Sequence, residues 1–200
     1  MTSVLLTAFE PYEGWTSNAS WLCLQELTRD LPREPVITTR LYPVKFDAAR
    51  ERLMRDLEAN YDFALHLGQA PGSTRIRLEA MAINVRGEPC APAQDFGRLA
   101  EDGPAAFRTT LPLASWAATL ISAGIPTSVS YHAGTFLCNA TLYWSHYLAE
   151  RMSLRTRSAF MHVPLDTSQT LLDAQDRASM NAAVTAAGLR LILGQLKSIA

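Results

Sequence analysis

The chain has 200 residues, 48% of them hydrophobic and 18% charged, with 18 basic residues against 19 acidic. This is a globular balance, long enough for one well-buried core and too apolar for a disordered chain. A net charge of −1, with no basic run among aromatics and no polybasic amphipathic stretch, gives no footing for nucleic acid or a membrane surface.

The first seven residues, Met1 to Thr7, lack a charged region and turn polar too early for a signal peptide. No apolar run is long enough to span a bilayer. Three cysteines, Cys23, Cys90 and Cys138, are odd in number and lack CxxC spacing. They read as reduced thiols of a cytoplasmic protein, not as a disulfide framework or a metal site. Without a linker, repeat or low-complexity tract, residues 1–200 are expected to form one domain.

In chain order, Ser3 to Ala8 predicts a buried opening strand. Asn18 is a candidate cap for a helix with the apolar stripe Trp21, Leu24, Leu27 and Leu31. A strand over 36–42 precedes a helix carrying Phe46, Ala49, Leu53 and Leu57, and Phe63 to Leu67 forms a third strand ending at Gly68. Residues 75–85 alternate as one longer strand, with Ile76, Leu78, Ala80 and Ala82 on one face. A surface loop over 90–103 follows. The next helix, through Leu113, Trp116, Leu120 and Ile121, stops at Gly124, a residue suited to a left-handed C-cap. A strand over 126–130, a helix over 139–151, a strand over 158–163 and a closing helix over 180–197 complete the chain. Strands separated by helices predict an α/β fold: a single-domain, three-layer α/β/α sandwich on a mostly parallel twisted sheet. Sites in such sheets lie at the strands' carboxyl ends.

Three residues could carry chemistry there. Cys138 opens a helix, where free backbone N–H groups and the macrodipole favour a thiolate and could bind an oxyanion; the alternative is a buried structural cysteine. His162 ends a strand, placed as a general base toward that thiol, or else is satisfied by a backbone carbonyl. Glu79 interrupts an apolar strand. It either pairs with His162 and fixes the imidazole tautomer, or points to solvent from an edge strand.

Five ordered blocks resemble the pyroglutamyl peptidase I (pyrrolidone carboxyl peptidase) family. Thr7 to Gly14, with Asn18 and Ser20, is similar to T-G-F-x-P-F-G-G…N-P-S. Gly68 to Gly72, followed by Ile76, Glu79, Ala82, Ile83 and Asn84, is similar to G-Q-A-G-G-R…E-R-V-A-I-N. Asp102 to Ala106 with Thr110 to Pro112 resembles D-G-P-A-A…T-L-P. Ala123 to Pro126 and Ala133 to Asn139 resemble A-G-I-P…A-G-T-[FY]-[VL]-C-N, and Phe160 to Pro164 matches F-[IL]-H-V-P. The resemblance implies a cysteine omega-peptidase with Cys138 as nucleophile, His162 as base and Glu79 as orienting acid. It implies a substrate-binding set of Phe9, Tyr12, Gln69, Ile83, Asn84, Phe136 and Leu137, in which Phe9 and Phe136 form the slot for the pyrrolidone ring. The implied substrate is a peptide or small amide with an N-terminal pyroglutamate. No metal or other cofactor is implied, and the family often forms tetramers, so a homo-oligomer is within the expectation.

The chain departs from the pattern in its loops. Glu13 and Pro71 stand where the family has glycine, and Ser73 where an arginine is usual. The family's oxyanion arginine falls at Pro89; Arg86 lies nearer the strand end and is either its partial replacement or a solvated surface arginine. Two other functions fit the same residues: a thiol amidohydrolase acting on another cyclic or acyl substrate, and a binding paralogue that keeps the slot without turnover.

Overall fold

A computed structural model describes residues 1–88, 90–171, 173 and 175–199. The chain forms β1 (Ser3–Phe9), α1 (Ala19–Thr28), β2 (Val36–Tyr42), α2 (Phe46–Leu57) and β3 (Phe63–Gln69). These are followed by β4 (Ile76–Glu79), β5 (Met81–Ile83), a 3₁₀ turn (Ala93–Asp95), β6 (Ala106–Arg108), α3 (Leu113–Ser122) and β7 (Thr127–Ser130). Last come α4 (Leu137–Arg151), β8 (Arg157–Val163), the short α5 (Thr167–Thr170) and α6 (Ala182–Leu196).

Six strands make the main sheet in the order β2-β1-β3-β8-β4-β7. The first four are mutually parallel, while β4 runs antiparallel to β8 and parallel to β7. Successive side chains on a strand face opposite ways, and both faces here are covered. Val4, Leu6, Phe63, Leu65, Ala159 and Met161 pack with α1, α3 and α6 in one cluster, through residues such as Leu24, Trp116 and Ile192. Leu5, Phe9, Ala64 and Phe160 pack with α2 and α4 in the other, through Leu53, Leu142 and Trp144. The three-layer α/β/α sandwich expected from the alternation of elements is therefore present.

Two local signals act as their chemistry predicts. The Asn18 side chain accepts from the Ser20 N–H and caps α1. Gly124, at φ +78°, ends α3; the N–H of Ile125 returns to the Leu120 carbonyl and that of Gly124 to Ile121, satisfying the last-turn acceptors.

The single strand expected over 75–85 is a correction. Its first half, β4, belongs to the main sheet, whereas β5 leaves it and pairs antiparallel with β6. The break is at Ala80, whose N–H donates to Ser130 and whose carbonyl accepts from Thr109, the residue that follows β6. Accordingly Ile76, Leu78 and Ala80 lie in one core cluster and Ala82 in the other, not on one face. The alternation of side chains alone carries no sign of such a change of sheet.

Candidate active site

Cys138 sits in the first turn of α4, over the carboxyl ends of β3 and β8. The helix begins without a polar cap: Phe136 occupies the N-cap in extended conformation and makes no side-chain hydrogen bond. A Ser or Asp there would engage first-turn N–H groups. With Phe136 those groups, and the positive end of the macrodipole, remain for a ligand beside the sulfur. Of the three thiols, Cys23 is buried, Cys90 exposed and Cys138 half-buried. Burial pushes the Cys23 thiol up to about 12, which removes it as a nucleophile at neutral pH.

Gly68, on β3, makes the room. A Cβ at this position would stand 2.9 Å from Cys138 Sγ and 2.6 Å from Phe160 Cζ, so only glycine lets the sulfur approach the sheet this closely. In register, Gly68 lies directly opposite His162 of β8.

The His162 Nδ1 lies 2.7 Å from Glu79 Oε1. Glu79 is wholly buried and His162 nearly so, so the solvent-facing alternative for Glu79 is set aside. With Nδ1 taken by the carboxylate, Nε2 is the nitrogen left for Cys138. Burial by itself drives the imidazole toward neutrality. The charge and hydrogen bonding of Cys138, and then of Glu79, outweigh it and raise the pKa to about 9.

Beside this group opens a cleft lined by Phe9, Tyr12, Asn18, Val44, Gln69, Phe136, Leu137 and Cys138. Phe136 is braced edge-on by Phe46, with centroids 5.3 Å apart. The Gln69 Oε1 accepts from the Ala19 N–H and from Gln169 Nε2, both at 2.8 Å. Its Nε2 is buried with no acceptor at full hydrogen-bonding geometry and reaches only weakly toward the Tyr12 hydroxyl. Burial above all, with negative charge at Cys138 and Glu13, lifts the Tyr12 phenol to about 12, so Tyr12 is a neutral hydroxyl in the cleft.

Five of the seven expected binding residues are thus brought together: Phe9, Tyr12, Gln69, Phe136 and Leu137. Ile83 and Asn84 are not. The Asn84 side chain donates to the Ala100 and Gly103 carbonyls and accepts from the Leu99 and Ala100 N–H groups, which uses its whole capacity. It shapes a loop and has nothing left for a ligand. The Ile83 backbone is gripped by Asn139, whose Oδ1 accepts from its N–H at 2.8 Å and whose Nδ2 donates to its carbonyl at 2.9 Å.

Arg86 is also kept from the cleft. Its guanidinium lies 4.4 Å over the Phe46 ring and 3.5 Å from Asp47 Oδ1, and it is not among the residues that line the cleft. Pro89 lies outside the described residues. Gly68 and Asn139 entered the sequence analysis only as members of matched blocks, and the cleft-lining Asn18 only as a helix cap and block member; Val44, which carried no signal, was passed over. Among the described residues no cluster of three or more His, Cys, Asp or Glu side chains is arranged for a metal ion, and no helix is long and apolar enough to cross a membrane.

An α/β/α sheet carrying Cys, His and a buried Glu at its carboxyl edge defines a thiol hydrolase. The family model described as pyroglutamyl peptidase matches residues 2–196, and the chain belongs to that family. It is 35% identical over 199 residues to the pyrrolidone-carboxylate peptidase of Bacillus subtilis, covering 92% of each protein. With that of Chromobacterium violaceum it shares 38% over 178 residues, or 86% of this chain and 81% of the relative. The crystal structure of the pyrrolidone carboxyl peptidase from Fervidobacterium islandicum superposes with a TM-score of 0.92 at 31% identity over 99% of both chains. A mutant of the Pyrococcus furiosus protein superposes at 0.90 and 27% identity over the whole of both.

Proposed function

We propose that this chain removes the N-terminal pyroglutamyl residue from peptides and small amides, with Cys138 as nucleophile, His162 as general acid and base, and Glu79 as the group that orients it. One observation carries the reading: the 2.7 Å contact from a wholly buried Glu79 to His162, beside a half-buried cysteine at an uncapped helix start. A neutral five-membered lactam suits a cleft walled by Phe9 and Phe136. The buried Gln69 Nε2 donates to the lactam oxygen.

His162 holds its proton to about pH 9, and the reaction starts from the Cys138 thiolate beside it, the form of cysteine that acts as a nucleophile. The Cys138 sulfur attacks the pyroglutamyl carbonyl carbon. Negative charge moves onto the carbonyl oxygen and is met by first-turn N–H groups of α4. As the tetrahedral centre collapses, His162 Nε2 gives its proton to the amine, which departs and leaves a thioester. Neutral His162 then takes a proton from water, the hydroxide displaces the sulfur, and pyroglutamate leaves with the ion pair restored. Glu79 accepts from Nδ1–H throughout and so fixes the tautomer and the ring's orientation. No step calls on a metal or a cofactor. A cytoplasmic place and a homo-oligomeric state belong to the same reading; light scattering after gel filtration checks the second.

The deciding experiment is release of p-nitroaniline from its pyroglutamyl amide, with and without iodoacetamide. Cys138→Ala is expected to abolish turnover, while Cys23→Ala and Cys90→Ala retain most of it. Full activity in the Cys138→Ala protein would reject the mechanism.

A further inference from the structure

One charged residue on the active-site face has no part in this chemistry. Arg77 lies on β4 directly opposite His162 of β8 in the antiparallel register, as Glu79 lies opposite Phe160. Opposed residues in an antiparallel pair point to the same face, with Cβ atoms about 4.5–5.5 Å apart. The Glu79–His162 contact fixes that face as the one bearing the catalytic group. Arg77 is half-buried, and its Nε is buried without any hydrogen-bond partner. None of the ion pairs among the described residues includes it. A guanidinium cannot shed its charge, so its desolvated stem is uncompensated in the free protein.

Its place relative to the cleft gives the direction. Across the sheet the strands run β1, β3, β8, β4. The cleft for the lactam lies over β1 and β3, through Phe9 and Gln69. Cys138 stands over Gly68 of β3, and His162 is on β8. A substrate with its ring in the cleft and its scissile bond at Cys138 therefore sends its leaving amine past His162 toward β4. Neighbouring strands are about 4.8 Å apart, so Arg77 stands one strand beyond the group that protonates the amine. An α-carboxylate on that residue, or a short acidic side chain, falls within the length of an arginine side chain.

We infer that Arg77 is a specificity residue that binds a carboxylate carried by the first residue after the scissile bond, so that the chain favours pyroglutamyl substrates with an anionic leaving residue. The inference rests on the proposed peptidase activity and adds the chemistry of the leaving side. The head of Arg77 is partly solvated, which moderates the gain relative to a buried pair.

The test compares kcat/KM of the intact protein on four substrates: pyroglutamyl-alanine, pyroglutamyl-alaninamide, pyroglutamyl-glutamic acid amide and pyroglutamyl-glutaminamide. The free acid against the amide reads the α-carboxylate, and Glu against Gln reads a side-chain carboxylate. At least one carboxylate arm is expected to run about tenfold ahead of its neutral partner, with the preference shrinking in 0.5 M salt. In Arg77→Met the preference is expected to fall to about one, with kcat/KM on the neutral substrates kept within about twofold and Arg77→Lys in between. Equal rates for wild type on acid and neutral substrates overturn the inference whether or not the variants fold. An equal loss on all four substrates in Arg77→Met also overturns it, because Arg77 would then act through Glu79 and His162. No hydrolysis of any pyroglutamyl substrate by wild type would instead sink the peptidase reading, and this inference with it.

Discussion

His66 and His162 lie on adjacent strands of one sheet and on the same face, yet their chemistry diverges. His66 sits in mid-strand opposite Phe160, and two positions further on Gly68 lies opposite His162. Both rings are taken out of water. The Nδ1 of His66 meets only the Thr7 hydroxyl, at 2.8 Å, and its Nε2 is buried and unpartnered. Burial, helped by nearby His146, presses its pKa down to about 3. His162 bears the same burial but has Cys138 on one side and Glu79 on the other, and is raised to about 9. At neutral pH one ring is a neutral spacer and the other a cation. Burial makes a histidine inert; a carboxylate and a thiol at hydrogen-bonding range turn the same burial into a stored proton.

The largest expected effect breaks the pair apart. His162→Ala removes both the acid and the counter-charge, so kcat on a pyroglutamyl amide should fall by about a thousandfold or more. Alkylation of Cys138 at pH 6 should slow with it. His66→Gln should leave kcat within about a factor of three. Comparable losses in the two variants would show that the contrast between the rings has no functional meaning.

A smaller loss is expected from making His162 resemble His66. Glu79→Gln keeps shape and burial but replaces the carboxylate with an amide that can hold the wrong tautomer. With one raising influence gone, the imidazole pKa drops. kcat should fall on the order of a hundredfold, and the alkaline limit of kcat/KM should move to lower pH. An unmoved limit would separate Glu79 from the titration of His162.

Much of this molecule was legible in its residues, and what was not has definite causes. The strand–helix alternation, the helix start at Asn18 and the helix stop at Gly124 are local signals, and local chemistry decides them. That Cys138, His162 and Glu79 meet in space was legible because each breaks a pattern: a thiol at a helix start, a histidine at a strand end, a carboxylate within an apolar run. The departure of β5 from the main sheet was not, since alternation looks the same in either sheet. Asn84 and Arg86 were near the site in sequence but engaged elsewhere in space, by Ala100 and Gly103 for one and Phe46 for the other. Gly68 and Arg77 depend on which strand lies beside which, and adjacency of β3, β8 and β4 is a property of the whole sheet.

The subtlest consequence of the contrast lies in stability against pH. An unfolded histidine titrates near 6.5. The folded pKa of His66 is depressed, so below about 6.5 the unfolded chain takes up a proton that the folded one refuses until about pH 3. Stability is therefore lost as the pH falls through that window, by about 1.4 kcal/mol per pH unit for a single group. His146, held down to about 4 by burial, adds to the same limb. His162 has the opposite sign: its folded pKa is raised, so its contribution is complete below about 6.5 and is lost as the pH rises through about 9. The acid limb should be readable as melting temperature from pH 4.5 to 6.5; on the alkaline side the Cys138 charge that raises His162 offsets its proton, so that limb is read up to pH 9.5 as the difference between wild type and Glu79→Gln. His66→Gln should flatten only the acid limb, and Glu79→Gln should lower the pH at which the alkaline limb falls. Carboxylates also titrate at the acid end, so the measured quantity is the difference between wild type and variant at each pH. Parallel curves for wild type and His66→Gln between pH 6.5 and 4.5 would mean that His66 is protonated inside the fold, and the distinction between the two rings would fail at its simpler member.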